Sequence, residues 1–233
     1  MLPQAMVAPS IRASSMHPND IADFWSECSA ADRVHPRDRT AWDRLRLGFS
    51  PNALPAGFVG PILSAPVVLL FLSPGLHQSD EAASDNPVEQ ARYVRIRAGR
   101  EPLPDKDWPA GYAWFRKRVA PFTTDYENAR HRIAVLNIGG YKSVDFTDHG
   151  ALTALPSSRF AVTWAQDVLF PQAERGERVV VCLRASKWWG LTPGQRYAGK
   201  LFAPMVNRAG DISRDQGSGP TRSEIEEAVL AAL

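Results

Sequence analysis

Cysteine is scarce in this chain of 233 residues, which contains only Cys28 and Cys182. Two cysteines cannot build a disulfide framework or a four-cysteine zinc site. Long apolar runs are absent as well. The longest, residues 67–72, is far shorter than the about 20 residues that cross a bilayer. We therefore expect neither a metal centre of this type nor a membrane partner.

The N-terminal segment lacks the pattern of a signal peptide. It is rich in Ala, Pro and Ser, and Pro3 and Pro9 interrupt any apolar stretch. No low-complexity linker divides the rest of the chain, and its composition, 44% hydrophobic and 22% charged, is ordinary for a folded protein. We expect a flexible tail over residues 1–18, a single domain over 19–233 and a cytoplasmic location.

Three familiar ligand-binding motifs are missing. There is no Walker loop and no GxGxxG after the first apolar run, and Ser73 lies in Leu-Ser-Pro-Gly rather than in a GxSxG elbow. His77, Asp80, Glu81 and Asp85 do not have the spacing of metal ligands. The sequence therefore predicts no cofactor and no metal, although a Ser73–His77 pair stays open as a nucleophile and base.

Excess charge of either sign is also missing, because the formal net charge is only +2. Residues 92–132 are the exception, with ten Lys/Arg against five Asp/Glu. Such a segment is typical of a surface that faces phosphates or of a solvated helical face. On the first interpretation, Arg92, Arg95 and Arg97 are the candidate nucleic-acid phosphate ligands.

Unbroken apolar runs occupy residues 67–72, 133–138 and 178–183, and helical patterns separate them at 112–122 and 157–169. Runs without alternation indicate strands that are buried on both faces, as in parallel sheets. We expect these strands to be adjacent and parallel. Two further helical stretches are predicted within 19–47, with a break at Pro36, and a last helix at 223–233; a weaker strand is predicted at 200–206. The pattern predicts an α/β domain with a mostly parallel central sheet and helices on both faces.

Ligands of open parallel sheets bind beyond the carboxyl ends of the strands. The segments that follow the predicted strands are therefore the candidate site, and we expect Ser73, Gly75, Tyr141, Arg184 and Asn207 to meet in one cleft. The full set of candidate ligand-binding residues is Gly75, Leu76, Asn137, Tyr141, Lys142, Ser143 and Arg184.

Each candidate also has a purely structural interpretation. Ser73-Pro74-Gly75 is compatible with a simple turn, and a buried Asn137 side chain with a bond to neighbouring backbone. Arg184 is as compatible with a structural ion pair as with a ligand contact. Trp188 and Trp189 are compatible with core positions or with platforms on which bases stack.

The ordered set of these segments resembles the uracil-DNA glycosylase superfamily, in particular poorly characterised bacterial members. The resemblance covers about residues 54–215. It is carried by Leu54-Pro55, Phe58-Val59-Gly60 and the run from Ala65 to Leu76, then by Tyr112-Ala113-Trp114-Phe115, Tyr141-Lys142-Ser143, residues 155–160, residues 179–184 and residues 204–207.

The resemblance implies a three-layer α/β/α sandwich with a short parallel sheet, and a pocket that receives a base flipped out of DNA. Backbone N–H groups of Gly75 and Leu76 would line a base oxygen, and Asn137 would read an amide-like base edge. The resemblance assigns phosphates or the leaving base to Lys142, Arg184 and Asn207. No cofactor is implied.

The same resemblance places the catalytic candidates at Ser73, Asp80 and Asn207. Ser73 stands where active members carry an Asn or Asp that orients the attacking water, and Asn207 lies where a His-containing motif is expected. Asp80 and Glu81 are the next candidates for holding the water. The sequence thus predicts a DNA-repair N-glycosylase with a degenerate water-activating motif, or a non-catalytic nucleic-acid- or nucleotide-binding protein.

Overall fold

The computed structural model describes residues 16–44, 48–147, 149–213 and 218–233. Most of the predicted tail at 1–18, and residues 45–47 of the predicted helix at 19–47, lie outside these residues. The helices are α1 (Asp20–Trp25), α2 (Arg39–Trp42), α3 (Asp80–Ala83), α4 (Pro87–Arg97), α5 (Pro109–Val119), α6 (Tyr126–Ala129), α7 (Gly150–Ala154), α8 (Pro156–Trp164), α9 (Phe170–Glu174) and α10 (Arg222–Ala232). The strands are β1 (Phe58–Val59), β2 (Val67–Phe71), β3 (Ile133–Asn137), β4 (Val179–Cys182) and β5 (Leu201–Phe202).

The five strands form one sheet in the order β1-β3-β2-β4-β5. The central strand β2 is parallel to both β3 and β4, which confirms the predicted arrangement of the three apolar runs. Val67 stands opposite both Ile133 and Val179, so the three strands start level with one another. Their carboxyl ends consequently lie together at one edge of the sheet.

Both faces of the sheet are buried, as the unbroken apolar runs predict. Val68 and Leu70 face a layer that contains α1, α7, α8 and α9. Val67, Leu69 and Phe71 face the opposite layer, which contains α5, α6 and α10. This alternation follows from the two-residue period of a strand. The fold is therefore mixed α/β, with a mostly parallel sheet between helices on both faces.

Two helical regions differ from their predicted extents. The segment 19–47 is divided at Pro36 as predicted, where a 3₁₀ turn covers Pro36–Asp38, but α1 already ends at Trp25 and α2 covers only Arg39–Trp42. The helix predicted over 157–169 continues instead through a π turn at Ala165–Leu169 into α9. Pro171 lacks the N–H that an α-helix requires, and the wider π turn lies just before it.

Strand β1 and the helices α3, α4, α6 and α7 were not predicted. Strand β1 is antiparallel to β3, with Phe58 opposite Leu136, and it is too short to give a sequence pattern. Helix α4 lies in the segment that was interpreted through its charge. Its start has a recognisable signal, because Asn86 accepts a hydrogen bond from the backbone N–H of Val88 at 2.8 Å and Pro87 occupies the first turn.

A buried hydrogen-bond network joins the segment after β3 to α8 and to the N-terminal elements. The Asp38 carboxylate accepts hydrogen bonds from the Tyr141 hydroxyl and, at 2.9 Å, from the backbone N–H of Ser157. The backbone N–H of His35 donates to the Tyr141 hydroxyl oxygen at 3.1 Å. Burial, reinforced by the adjacent Asp38 carboxylate, raises the pKa of Tyr141 far above its usual value. The hydroxyl therefore stays protonated and acts as a structural donor.

None of the described helices is both long enough and apolar enough to span a membrane.

Removal of the Asp38 carboxylate should destabilise the fold. The substitution Asp38→Ala leaves the Tyr141 hydroxyl and the Ser157 N–H buried without their acceptor. We expect the free energy of unfolding to fall by about 2–4 kcal/mol. Urea denaturation measures this change, and Asp43→Ala, at an exposed position in the next turn, should change it by no more than about 0.5 kcal/mol. Equal losses in the two variants would contradict the structural role of Asp38.

Candidate functional site

The carboxyl ends of β2 and β3 border a cavity of about 260 Å³. We call it the aromatic pocket. Its walls include four aromatic side chains, Tyr93, Trp108, Trp114 and Phe115, and its polar lining includes Asp80, Asn137 and Lys142. A mostly aromatic cavity with a few convergent polar groups is the usual form of a small-molecule site.

Asn137 is the last residue of β3 and stands opposite Phe71 at the end of β2. Because side chains alternate along a strand, Asn137 lies on the same face as Val135, and both line the aromatic pocket. Its side chain is only 3% exposed. Its backbone N–H donates to Gly57 at 2.8 Å, but its side-chain amide bonds to no residue in the described part of the chain. The amide is therefore directed into the pocket without a partner.

The aromatic walls come from the helices and loops between β2 and β3. The Trp108 ring meets Tyr93 of α4 edge-on, with 6.1 Å between ring centres. Trp114 of α5 packs edge-on against Phe115 and against Phe71, at 4.8 Å and 5.1 Å. These edge-to-face contacts fix the orientations of the rings relative to one another. Aromatic side chains therefore form much of the apolar wall of the cavity.

The loop after β2 forms the rim of the pocket through Pro74, Gly75 and Leu76. A parallel bridge holds this rim to the loop after β3: the Leu76 N–H donates to the Ser143 carbonyl at 2.9 Å, and the Ser143 N–H donates to the Pro74 carbonyl at 3.2 Å. The Leu76 N–H is therefore already bonded, and the expectation that it meets a base oxygen is wrong. Ser143 contributes its backbone to the rim.

Lys142 and Asp80 form a buried ion pair in the pocket lining. Lys142 Nζ lies 2.6 Å from Asp80 Oδ1, and their side chains are 12% and 9% exposed. Asp80 Oδ2 accepts a further hydrogen bond from the His77 N–H at 2.6 Å. Burial acts to lower the pKa of Lys142, but the facing Tyr93 and Asp80 outweigh it and hold the pKa above its usual value. Lys142 is therefore a charged ammonium within the pocket.

Several predicted site residues lie elsewhere. Tyr141 is 1% exposed and its hydroxyl is bonded within the Asp38 network, so its predicted role as a ligand-binding residue is wrong. Ser73 is half-buried between the pocket and a second cleft and does not belong to the described lining of either. Arg184 lines that second cleft. The expected convergence on one cleft is therefore not observed.

Asn207 stabilises a turn. Its Oδ1 accepts hydrogen bonds from the backbone N–H groups of Ala209 and Asp211 at 2.8 Å and 3.0 Å, and its Nδ2 donates to the Asp211 carboxylate at 3.1 Å. Val206 and Ile212 close this turn as an antiparallel bridge. Both polar ends of the Asn207 amide are thus engaged locally, and the residue is not part of the aromatic pocket. Its predicted catalytic role has no support in this geometry.

The predicted phosphate ligands of α4 are mostly engaged within the protein. Arg97 is buried and donates to the backbone carbonyls of Pro55 and Ser29 at 2.9 Å and 2.7 Å, so its predicted phosphate contact is wrong. Burial also lowers its pKa. Arg92 pairs with Glu89 at 2.8 Å, and Arg95 pairs with Glu101 at the same distance. Of the three predicted phosphate ligands, none is therefore a free surface cation, although only four of the ten cations in 92–132 pair with a carboxylate among the described residues.

No group of His, Cys, Asp and Glu side chains in the described residues has an arrangement that could hold a metal ion.

The pocket also contains residues that sequence reasoning missed. Tyr93 and Trp108 belong to the segment that was interpreted only through its positive charge. Their position in the sequence could have identified them. Both lie in the connection between the first two predicted strands, and this connection starts at the carboxyl end of the first strand. Trp114 was identified as an apolar helical residue without a role in the site.

Loss of Lys142 should be costly because it leaves a buried carboxylate. In Lys142→Met, Asp80 keeps only the His77 N–H, and we expect the free energy of unfolding to fall by about 3–5 kcal/mol. Adding Asp80→Asn removes the stranded charge and should recover at least half of that loss. Urea denaturation of the two single variants and the double variant measures the coupling. Additive losses would show that the ion pair does not form.

No known family model, curated protein or solved structure matches this chain. The function is therefore inferred from the geometry of the pocket and from the residues that line it.

Proposed function

We propose that this protein binds a nucleobase extruded from a nucleic-acid strand, in the manner of the uracil-DNA glycosylase superfamily. The aromatic pocket receives the base. The observation that carries the proposal is the Asn137 side-chain amide, which lines the aromatic pocket at the carboxyl ends of the strands and forms no hydrogen bond with the described residues.

A ligand that displaces water from this amide loses about 1–3 kcal/mol unless it meets the amide with polar groups of its own. A side-chain amide offers one acceptor and two donor hydrogens in a plane. The carbonyl and ring N–H that stand side by side on uracil-like bases are complementary to this arrangement. A base in the pocket would therefore satisfy the group that the protein itself leaves unsatisfied.

The surroundings of Asn137 support a flat ligand. Trp108, Trp114 and Tyr93 line the cavity, and enzymes that act on flipped bases hold them by stacking and by bonds to the Watson–Crick edge. A short parallel sheet between two helical layers, with a pocket at the strand ends, is also what the sequence resemblance implies. We therefore include in the proposal that the fold is of the uracil-DNA glycosylase type.

Asn137→Leu tests the proposal because it keeps the volume of the side chain and removes the amide. We expect affinity for a single-stranded oligonucleotide with one deoxyuridine to fall by about 1–3 kcal/mol, the range for a good amide–base pair. Quenching of tryptophan fluorescence reports binding, since Trp108 and Trp114 line the pocket. The matched control is Asn128→Leu, at an exposed position of α6, which should bind as the unaltered protein does.

A second measurement does not depend on a folded variant. The unaltered protein should bind the deoxyuridine oligonucleotide more tightly than the same strand with an abasic site at that position. Equal affinity for the two strands, together with unchanged affinity in Asn137→Leu, would contradict base binding in the pocket.

Hydrolysis of the N-glycosidic bond is a second candidate function. It is favoured by the position of Asp80 in the lining of the aromatic pocket. Asp80 is the carboxylate in the described lining of the pocket. Lys142 keeps its charge balanced. In the reaction, a water oxygen bonds to the sugar C1′, the C1′–N bond breaks, and its electron pair leaves with the base. Asp80 would take the water proton, and the Lys142 ammonium would stabilise the anionic base.

Asp80 already accepts hydrogen bonds on both oxygens, and Ser73 offers no carboxylate, so we expect excision to be weak. Asp80→Asn should abolish residual excision of uracil while the oligonucleotide still binds. Alkaline cleavage of a deoxyuridine oligonucleotide after single-turnover incubation measures the rate. Asn128→Leu, at an exposed position of α6 outside the described pocket lining, is the control and should leave the rate unchanged. Excision that survives Asp80→Asn would assign the water to another residue, and no excision in any variant would leave a non-catalytic base-binding protein.

A further inference from the structure

A second cleft lies beside the aromatic pocket, at the carboxyl ends of β2 and β4. It is open and has a volume of about 370 Å³. Leu72 lines this cleft and Pro74 lines the aromatic pocket. The two spaces are therefore separated by the backbone of one loop, at Ser73. We call the second space the Trp188 cleft, after its main aromatic side chain.

The Trp188 cleft presents an aromatic surface to solvent. Trp188 is 38% exposed, and its ring stacks on His149 with 5.6 Å between ring centres and 9° between ring planes. Both residues line the cleft. The neighbouring Trp189 is fully buried, so the two tryptophans resolve the alternatives left open by the sequence: Trp189 belongs to the core and Trp188 does not.

An unusual backbone conformation positions Trp188. Ala185 has φ of +61°, the only left-handed residue other than glycine in the described chain. Such a conformation costs of order 1 kcal/mol and is concentrated at functional sites. It starts the 3₁₀ turn Ser186–Trp189, which places Lys187 and Trp188 outward and Trp189 inward. Only Trp189 of this turn packs into the core. Core packing therefore does not explain why Lys187 and Trp188 are held at the surface.

The cleft is also positively charged. Arg184 and the exposed Lys187 line it. The Arg184 guanidinium donates to the Arg208 backbone carbonyl, but it forms no ion pair with any carboxylate in the described ranges. Burial, followed by the nearby Arg208 and Arg118 cations, lowers its pKa. A half-buried guanidinium among like charges is poorly satisfied by the protein, and an anion would satisfy it.

We infer that the Trp188 cleft binds a second nucleotide of the strand whose extruded base enters the aromatic pocket. Its base stacks on Trp188 and its phosphate meets Arg184 and Lys187. This inference rests on the proposed function and adds to it a second subsite, which holds a neighbouring nucleotide of the same strand. Aromatic faces interleaved with cations are the usual surface for single-stranded nucleic acid.

Ligand length tests the inference. Deoxyuridine, its monophosphate and an eight-nucleotide single-stranded DNA with one central deoxyuridine are compared by fluorescence titration. The strand should bind at least tenfold more tightly than the monophosphate. Trp188→Leu should reduce strand binding about tenfold, the scale of one base–aromatic stack, and leave deoxyuridine binding unchanged. Trp188→Phe, which keeps a ring, should retain most of the affinity.

Arg184→Gln should lower strand affinity. The slope of the logarithm of affinity against the logarithm of salt concentration should become shallower by about one, because one phosphate contact is lost. Arg175→Gln is the matched control. Arg175 pairs with Glu177 on the surface before β4 begins, at the opposite edge of the sheet, and its loss should leave the salt slope unchanged.

The outcomes separate the two proposals. If deoxyuridine and the strand bind equally and Trp188→Leu has no effect, the Trp188 cleft inference is overturned and base binding stands. If the monophosphate binds as tightly as the strand and depends on Arg184, the cleft holds a free nucleotide and the strand assignment is overturned. If no probe binds at any length, the proposed function fails and the cleft inference fails with it.

Discussion

The parallel pairing of β2 with β3 on one side and with β4 on the other determines where the chemistry of this protein lies. Five residue pairs join β2 to β3 and four join it to β4, all in level register. The register places Asn137, the Ser73–Gly75 loop and Arg184 at one edge. A shift of a single residue in β3 would reverse its faces and move Asn137 away from the aromatic walls. The pocket therefore depends on the hydrophobic pattern that sets this register.

Polar groups near this edge divide into those the protein satisfies and those it leaves unsatisfied. Asp38, Tyr141 and Arg97 are buried in hydrogen bonds to other parts of the chain, and they support the fold. Two groups differ: the Asn137 amide lines the aromatic pocket without a hydrogen bond to the described residues, and the half-buried Arg184 guanidinium donates to the Arg208 carbonyl but pairs with no carboxylate in those residues. We propose ligand binding where a polar group that the protein does not satisfy faces a cavity or cleft.

The sheet was predictable from sequence because its strands are unbroken apolar runs, which few other structures tolerate. The position of Asn137 at a strand end followed from the same runs. The environment of Tyr141 did not, because its partner Asp38 lies about a hundred positions away in the chain, and no local pattern records such a contact. The burial of Arg97 was hidden for the same reason: its acceptors are backbone carbonyls of distant loops. Tyr93 lines the pocket from α4 and Trp108 from the start of α5, and residue spacing alone does not reveal how these two helices pack.

The central claim is that Asn137 reads a base in the aromatic pocket, and the resonance of its side-chain amide tests it most directly. In a ¹⁵N-labelled sample, Asn137→Asp identifies the two amide protons of this residue by their disappearance. Titration with the deoxyuridine oligonucleotide should shift these protons saturably, and the abasic strand should not. Saturable binding of the deoxyuridine strand that leaves the Asn137 amide resonance unmoved would contradict the account.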